Sequence, residues 1–186
     1  MHPTPITDEQ LASRLQNGDE QAIAMIYERF KHGLFRFCMR LVSESEIAED
    51  IVQETFVRMI DEKMSLHNPA ALKSWMYMIA RNEAFTQLKK RKRTRMLFED
   101  DQDVFIEEST SDSIETAERS AIITSFVNRL LPQYKEVLVL REYEAMNYEE
   151  IAEVIGASVA TVKSRLFRAR KALSEKLLPL RKASDL

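Results

Sequence analysis

Apolar residues recur at intervals of three and four along much of this chain, and that spacing points to amphipathic helices. Between positions 23 and 41, Ile23, Ile26, Tyr27, Phe30, Leu34, Phe37, Cys38 and Leu41 fall on one stripe of a helix, a face that has to be buried. Breakers are scarce. Three glycines and five prolines among 186 residues leave room for short connections and little else. An all-α protein follows, and with 45% hydrophobic and 31% charged residues it can bury one or two small cores as a soluble globular chain.

Local signals mark the helix ends. Thr7 with Gln10 has the form of a capping box, and Gly18 can end the helix it opens. Ser43 with Glu46 predicts the start of another helix by the same logic, running to about Lys63. The segment from Ser65 to Ala71 holds His67, Asn68 and Pro69 and is expected to be a loop. A helix from about Leu72 into a lysine cluster then closes a four-helix N-terminal module. Further on, a helix covers Ile122 to Leu131, and Pro132 suits the first position of the next.

Several function classes are excluded early. Cys38 is the single cysteine, so neither an internal disulfide nor a cysteine zinc cage can form, and a reducing cytoplasm fits. No apolar stretch approaches the roughly 20 residues of a membrane span, and the first ten residues lack a secretory pattern, so neither membrane insertion nor export is expected. HExxH, GxGxxG and P-loop patterns are missing, and the three histidines are scattered. Neither an enzyme nor a bound metal or cofactor is expected.

The net charge of −3 hides a strong alternation. Residues 1–70 carry −5, 71–98 carry +7, 99–118 carry −9, 119–155 carry −2 and 156–186 carry +6. Two basic surfaces flank an acidic stretch that lacks a sustained period and reads as a tether. The expected organisation is a first helical domain over residues 1–96, an acidic flexible linker over 97–118 and a second helical domain over 119–186. Basic surfaces of this kind suit a polyanionic partner.

The run from Tyr148 to Leu173 has the form helix, tight turn, helix. Asn147 can cap the first helix with Glu150 at its third position, and Gly156 supplies the permissive backbone of the turn. In the second helix Val162, Leu166, Ala169 and Leu173 form a narrow core seam. Opposite lie Ser164, Phe167 and Lys171, flanked by Lys163 and Arg168, a face suited to a DNA major groove in which Phe167 can meet a thymine methyl. Arg165 and Arg170 lie nearer the seam edges, where phosphates are within reach.

The N-terminal module offers two further faces. In the helix from Ile47, residues Ala48, Ile51, Val52, Phe56, Met59 and Ile60 are expected to be buried, leaving Asp50, Gln53, Glu54, Val57 and Asp61 outside. That acidic stripe suits an arginine-bearing protein partner or is simply solvated. Residues 72–95 bring eight cations together with Trp75, Tyr77 and Phe85, a mixture that fits unpaired DNA, although Leu72, Trp75, Met76 and Ile79 share a helical seam that makes Trp75 a core residue. Asn82 lies off the seam and can pair with a base edge or stay solvated.

Taken together, Ala48 to Phe56 (AEDIVQETF), Leu72 to Asn82 (LKSWMYMIARN) and the run from Tyr148 to Leu173 resemble, in order, the conserved motifs of the two-domain extracytoplasmic-function (group 4) sigma factors of the sigma-70 family. The resemblance implies a region 2 helical bundle and a region 4 helix-turn-helix in an alternative sigma factor that binds core RNA polymerase. It assigns Asp50, Gln53 and Glu54 to the clamp helices of the largest polymerase subunit. Recognition and melting of the −10 element fall to the loop preceding the helix from Leu72, with Asn82 close by; His67, Asn68, Lys73, Lys89, Lys90 and Arg91 are candidates beside it. Recognition of the −35 element and contact with the polymerase flap fall to the second domain, with Lys163, Ser164, Phe167 and Arg168 as leading contacts.

One departure is the acidic tether, which could mimic nucleic acid in the polymerase cleft, cover the chain's own basic faces, or act as a spacer. The residues after the last motif are too few for another domain, so control is expected from a separate protein such as an anti-sigma factor. A stand-alone helix-turn-helix regulator and a helical adaptor remain the alternatives, separable by whether core polymerase yields specific transcripts.

Overall fold

The computed structural model describes residues 6–98 and 115–183, with the side chains of 92, 94–98, 115–121 and 178–183 left aside. The described residues form helices without strands: α1 (Asp8–Gln16), α2 (Glu20–Val42), α3 (Ser45–Asp61), α4 (Leu72–Phe98), α5 (Glu115–Asn128), α6 (Pro132–Glu142), α7 (Tyr148–Ile155) and α8 (Val159–Ala183). Most of the acidic stretch, residues 99–114, lies outside the described part.

The capping box at α1 forms in both directions: the Gln10 amide donates to Thr7 Oγ1 at 3.2 Å, and the Thr7 amide donates to Gln10 Oε1 at 3.0 Å. Gly18 follows at φ +81°, and Asp19 caps α2 by accepting from the Gln21 amide at 2.9 Å. At the other end of α2 the expectation for Ser43 fails. Ser43 takes the left-handed conformation, φ +60°, and its amide closes α2 onto the Met39 carbonyl at 2.8 Å. Glu44 holds the N-cap position of α3, and its side chain makes no cap hydrogen bond. Only Ser43 and Glu44 join the two helices, so the residue that reverses the chain is used to end α2 and cannot also start α3.

The face of α3 also differs in part. Ala48, Ile51, Phe56 and Met59 are buried as expected, but Ile60 is 39% exposed, and Thr55 is buried in the stripe with its hydroxyl donating to the Ile51 carbonyl at 2.7 Å. That bond satisfies the hydroxyl within its own helix, which is how a polar residue enters an apolar face. Between α3 and α4 the expected loop contains two turns of 3-10 helix, Lys63–Ser65 and Pro69–Ala71, the second capped by Asn68 accepting from the Ala70 amide at 3.1 Å. Gln16 ties α1 to this segment, donating to the Leu66 carbonyl at 2.7 Å.

Trp75 is buried with Leu72, Met76 and Ile79, the core role its spacing indicates. Cys38 is buried, and burial pushes its thiol up to about 12. In the second half α6 packs on α8 and α7 on α8, and the seam of α8 buries Val162, Leu166 and Ala169, with Leu173 half-buried. The capping box of α7 is complete: the Glu150 amide donates to Asn147 Oδ1 at 2.8 Å and the Asn147 amide to Glu150 Oε2 at 2.7 Å. Gly156 turns the chain at φ +62°, where a side chain would strain the backbone. The halves also touch one another, α4 against α7 and α2 against α6.

Asn147→Ala is expected to lower stability by about 1 kcal/mol through loss of the cap, whereas Leu166→Ala, which opens a cavity in the α8 seam, is expected to lower it by about 2 to 5 kcal/mol. Urea unfolding followed by circular dichroism separates the two; equal losses would mean that the α8 seam is not a packed core.

Candidate nucleic-acid interface

The outer face of α8 follows from its inner one. Because Val162, Leu166 and Ala169 are locked into the core, the opposite side of the helix must face solvent. Lys163, Ser164, Phe167, Arg168, Arg170 and Lys171 are exposed, and Phe167 is 69% exposed. A bare aromatic ring among cations is unfavourable in water and useful against an apolar base edge. Two shallow grooves border this ridge. One, of about 410 Å³, is lined by Gln133 and Tyr134 of α6 and by Ala160, Thr161, Ser164, Arg165 and Arg168 of α8. The other, of about 370 Å³, runs past Tyr148, Lys163, Phe167, Arg170 and Lys171.

Not every cation here is equally available. Lys163 Nζ sits 5.7 Å from the centre of the Tyr148 ring. Arg168 donates to the Tyr134 hydroxyl at 3.4 Å, and that contact holds the phenol below its ordinary range. Arg170 pairs with Glu142 at 2.7 Å and Lys171 lies 4.0 Å from Glu175, both exposed pairs that water and salt weaken. Arg165 differs: it is half-buried and donates at 3.0 Å to Glu136, a carboxylate with 0% exposure. Tyr134, Gln133 and Thr161 were not apparent from the sequence; the one hint is their position in the first turn of a helix, two of them just behind Pro132.

In the first half, His67 and Asn68 are exposed on the turn before α4, Asn82 is exposed on α4 and accepts from Arg81 at 3.2 Å, and Lys89, Lys90 and Arg91 continue along the same helix. Arg91 pairs with Glu44 and donates to the Val42 carbonyl at 3.3 Å, so it braces α4 against the α2–α3 link. Lys73 is turned toward the second half, its Nζ donating to the Glu144 carbonyl at 2.6 Å. Asp50, Gln53 and Glu54 are exposed on α3 next to Val57, itself 47% exposed, giving an acidic stripe with an apolar member.

The junction between the halves is built from groups that no periodicity marks. Arg81 of α4 donates to Glu136 at 2.6 Å through Nε and at 3.4 Å through a terminal nitrogen, so one carboxylate is shared with Arg165. Burial outweighs both guanidiniums and pushes the Glu136 carboxyl above its ordinary range. Tyr77 donates to Glu144, and burial, then that bond, push its phenol up. Arg40 lies 3.8 Å from the centre of the Tyr143 ring. Among the described residues no cluster of three or more His, Cys, Asp or Glu could hold a metal ion, and no helix is long and apolar enough to cross a membrane.

Comparison with known proteins identifies the family of both halves. Residues 26–94 match the family model of sigma-70 region 2, and residues 120–173 match that of sigma-70, region 4. The chain is 32% identical over 183 residues to the RNA polymerase sigma-H factor of Pseudomonas aeruginosa, spanning 93% of this chain and 95% of that protein. It is 30% identical over 189 residues to the ECF RNA polymerase sigma-E factor of Haemophilus influenzae, spanning 94% and 97%. Its fold is similar to that of the sigma factor RpoE of Bartonella quintana, solved in complex with the anti-sigma factor NepR, with a TM-score of 0.66 and 28% identity over 83% of this chain and 95% of the other. The chain therefore belongs to the sigma-70 family, in its extracytoplasmic-function branch, and is an RNA polymerase sigma factor.

Proposed function

We propose that this sigma factor divides its work among three faces and carries out no covalent chemistry of its own. The observation that carries this reading is the outward ridge of α8, where Lys163, Ser164, Phe167 and Arg168 stand exposed opposite a buried seam. The ridge enters the major groove of the −35 element, with Arg170 and Lys171 on neighbouring phosphates. His67, Asn68 and Asn82, followed by the cations Lys89 and Lys90, meet the −10 element as it opens; single strands favour such cationic tracks. Asp50, Gln53 and Glu54 dock on core polymerase, with Val57 giving that face an apolar contact.

The protein acts on polymerase in the cytoplasm. Because a relative of the same fold was solved with an anti-sigma factor, a protein of that class is the proposed controlling partner. The deciding experiment is run-off transcription with core polymerase and a promoter library: discrete transcripts dependent on this chain support the reading, and DNA binding without a transcript would assign it to stand-alone regulation instead.

Substitutions on each face test these assignments. Lys163→Ala and Arg168→Ala are expected to weaken −35 binding by about 1 to 3 kcal/mol for a base contact, while a phosphate contact lowers the slope of affinity against salt by about one; an unaltered promoter preference removes the assigned face. Asp50→Lys together with Glu54→Lys is expected to reduce capture by core polymerase at unchanged helical content, and undiminished capture refutes the docking assignment. Asn82→Ala is expected to reduce permanganate reactivity at the −10 element more than closed-complex formation; equal loss of both makes Asn82 a structural residue.

A further inference from the structure

A loop that reads an unpaired base needs support that a helix carries within itself. Between α3 and α4 the chain makes two short 3-10 turns, Lys63–Ser65 and Pro69–Ala71, and residues 66–68 between them have no regular structure. His67 and Asn68, assigned to the −10 element, stand in that gap. Gln16, the last residue of α1, reaches it from outside: its carboxamide nitrogen donates to the Leu66 carbonyl at 2.7 Å and to the Lys63 carbonyl at 3.3 Å, so one side chain spans the first turn. We propose that Gln16 is a positioning residue for −10 recognition, holding the peptide from which His67 and Asn68 project and so sharpening which base the loop accepts. The inference rests on the assignment of that loop to the −10 element.

The hold falls where it matters. Leu66 is anchored twice, by a side chain that is 4% exposed and by the carbonyl that Gln16 engages. That carbonyl shares a rigid peptide plane with the His67 amide, so fixing it sets the direction in which the chain enters His67. On the far side, Asn68 Oδ1 accepts from the Ala70 amide at 3.1 Å, and the Asn68 carbonyl accepts from the Ala71 amide at 2.9 Å. With its oxygen engaged, the exposed Asn68 presents its carboxamide NH2, two donors suited to a base carbonyl or ring nitrogen. Such donors discriminate between bases when they are held to within about 0.5 Å.

The brace is itself fixed to the core. Leu11, Ala12 and Leu15 of α1 are buried, and Arg29 of α2 donates to Asp8 Oδ1 at 2.6 Å and to the Ile6 carbonyl at 2.8 Å. Position is thus passed from α2 through α1 to Leu66, and Gln16 acts on the base through the loop.

Holoenzyme reconstituted from core polymerase and the full chain tests this on a promoter from the run-off screen, and on copies with each −10 or −35 base replaced in turn. The quantity read is the ratio of open-complex formation on the original to that on each copy. Gln16→Glu keeps the shape of the side chain and removes its donors, whereas Gln16→Lys returns donors to the same place. Gln16→Glu is expected to cut the −10 ratio by about fivefold, the scale on which one hydrogen bond shifts an equilibrium, with −35 ratios and helical content unchanged; Gln16→Lys is expected to restore it. An undiminished −10 ratio in Gln16→Glu overturns the proposal, as does a loss that Gln16→Lys leaves unrestored or that falls equally on the −35 ratios. His67→Ala and Asn68→Ala in the same assay tell two failures apart. If they lose the −10 ratio while Gln16→Glu keeps it, the loop reads the base unaided; if they keep it too, the loop assignment itself is wrong.

Discussion

Each helix in this molecule carries an apolar stripe too narrow to make a core alone, and hiding those stripes is the constraint that everything else obeys. Burying Val162, Leu166 and Ala169 of α8 dictates that Lys163, Phe167 and Arg168 face outward. Burying Ala48, Ile51 and Met59 of α3 does the same for Asp50, Gln53 and Glu54. The faces that work on other molecules are thus fixed by the faces that hold the fold, at a separation of about half a helical turn.

What could be read in advance was what is local. Capping boxes at Thr7 and Asn147 involve residues three apart, so sequence spacing contains the whole interaction. The seam of α8 and the core position of Trp75 follow from the helical period in the same way. Ser43 misled because a serine near a helix boundary suits either side of it, and the short α2–α3 link decides which. Ile60 lies outside the buried stripe and Thr55 inside it because the packing partner of α3, not its own pattern, sets where the stripe ends.

The junction was out of reach for a different reason. Arg81, Glu136 and Arg165 are far apart in sequence and of types that ordinarily sit in water, so neither period nor composition marks them. Arg165 shows the consequence: periodicity placed it at a seam edge facing phosphates, and the fold gives it a carboxylate instead. Contacts between domains tend to be more polar than domain cores, which lets two units meet without becoming inseparable. Here the polar groups are buried deeply enough to be specific about how the halves meet, and charged enough that water competes for them.

The single thiol of the chain has a consequence of its own. Cys38 is shut inside the first half, and its proton is held so firmly that almost no thiolate exists at neutral pH. Peroxide and disulfide reagents act on thiolates they can reach, so the folded protein offers them no reactive thiol. If thiol oxidation governs this sigma factor, the sensing sulfur belongs to another molecule.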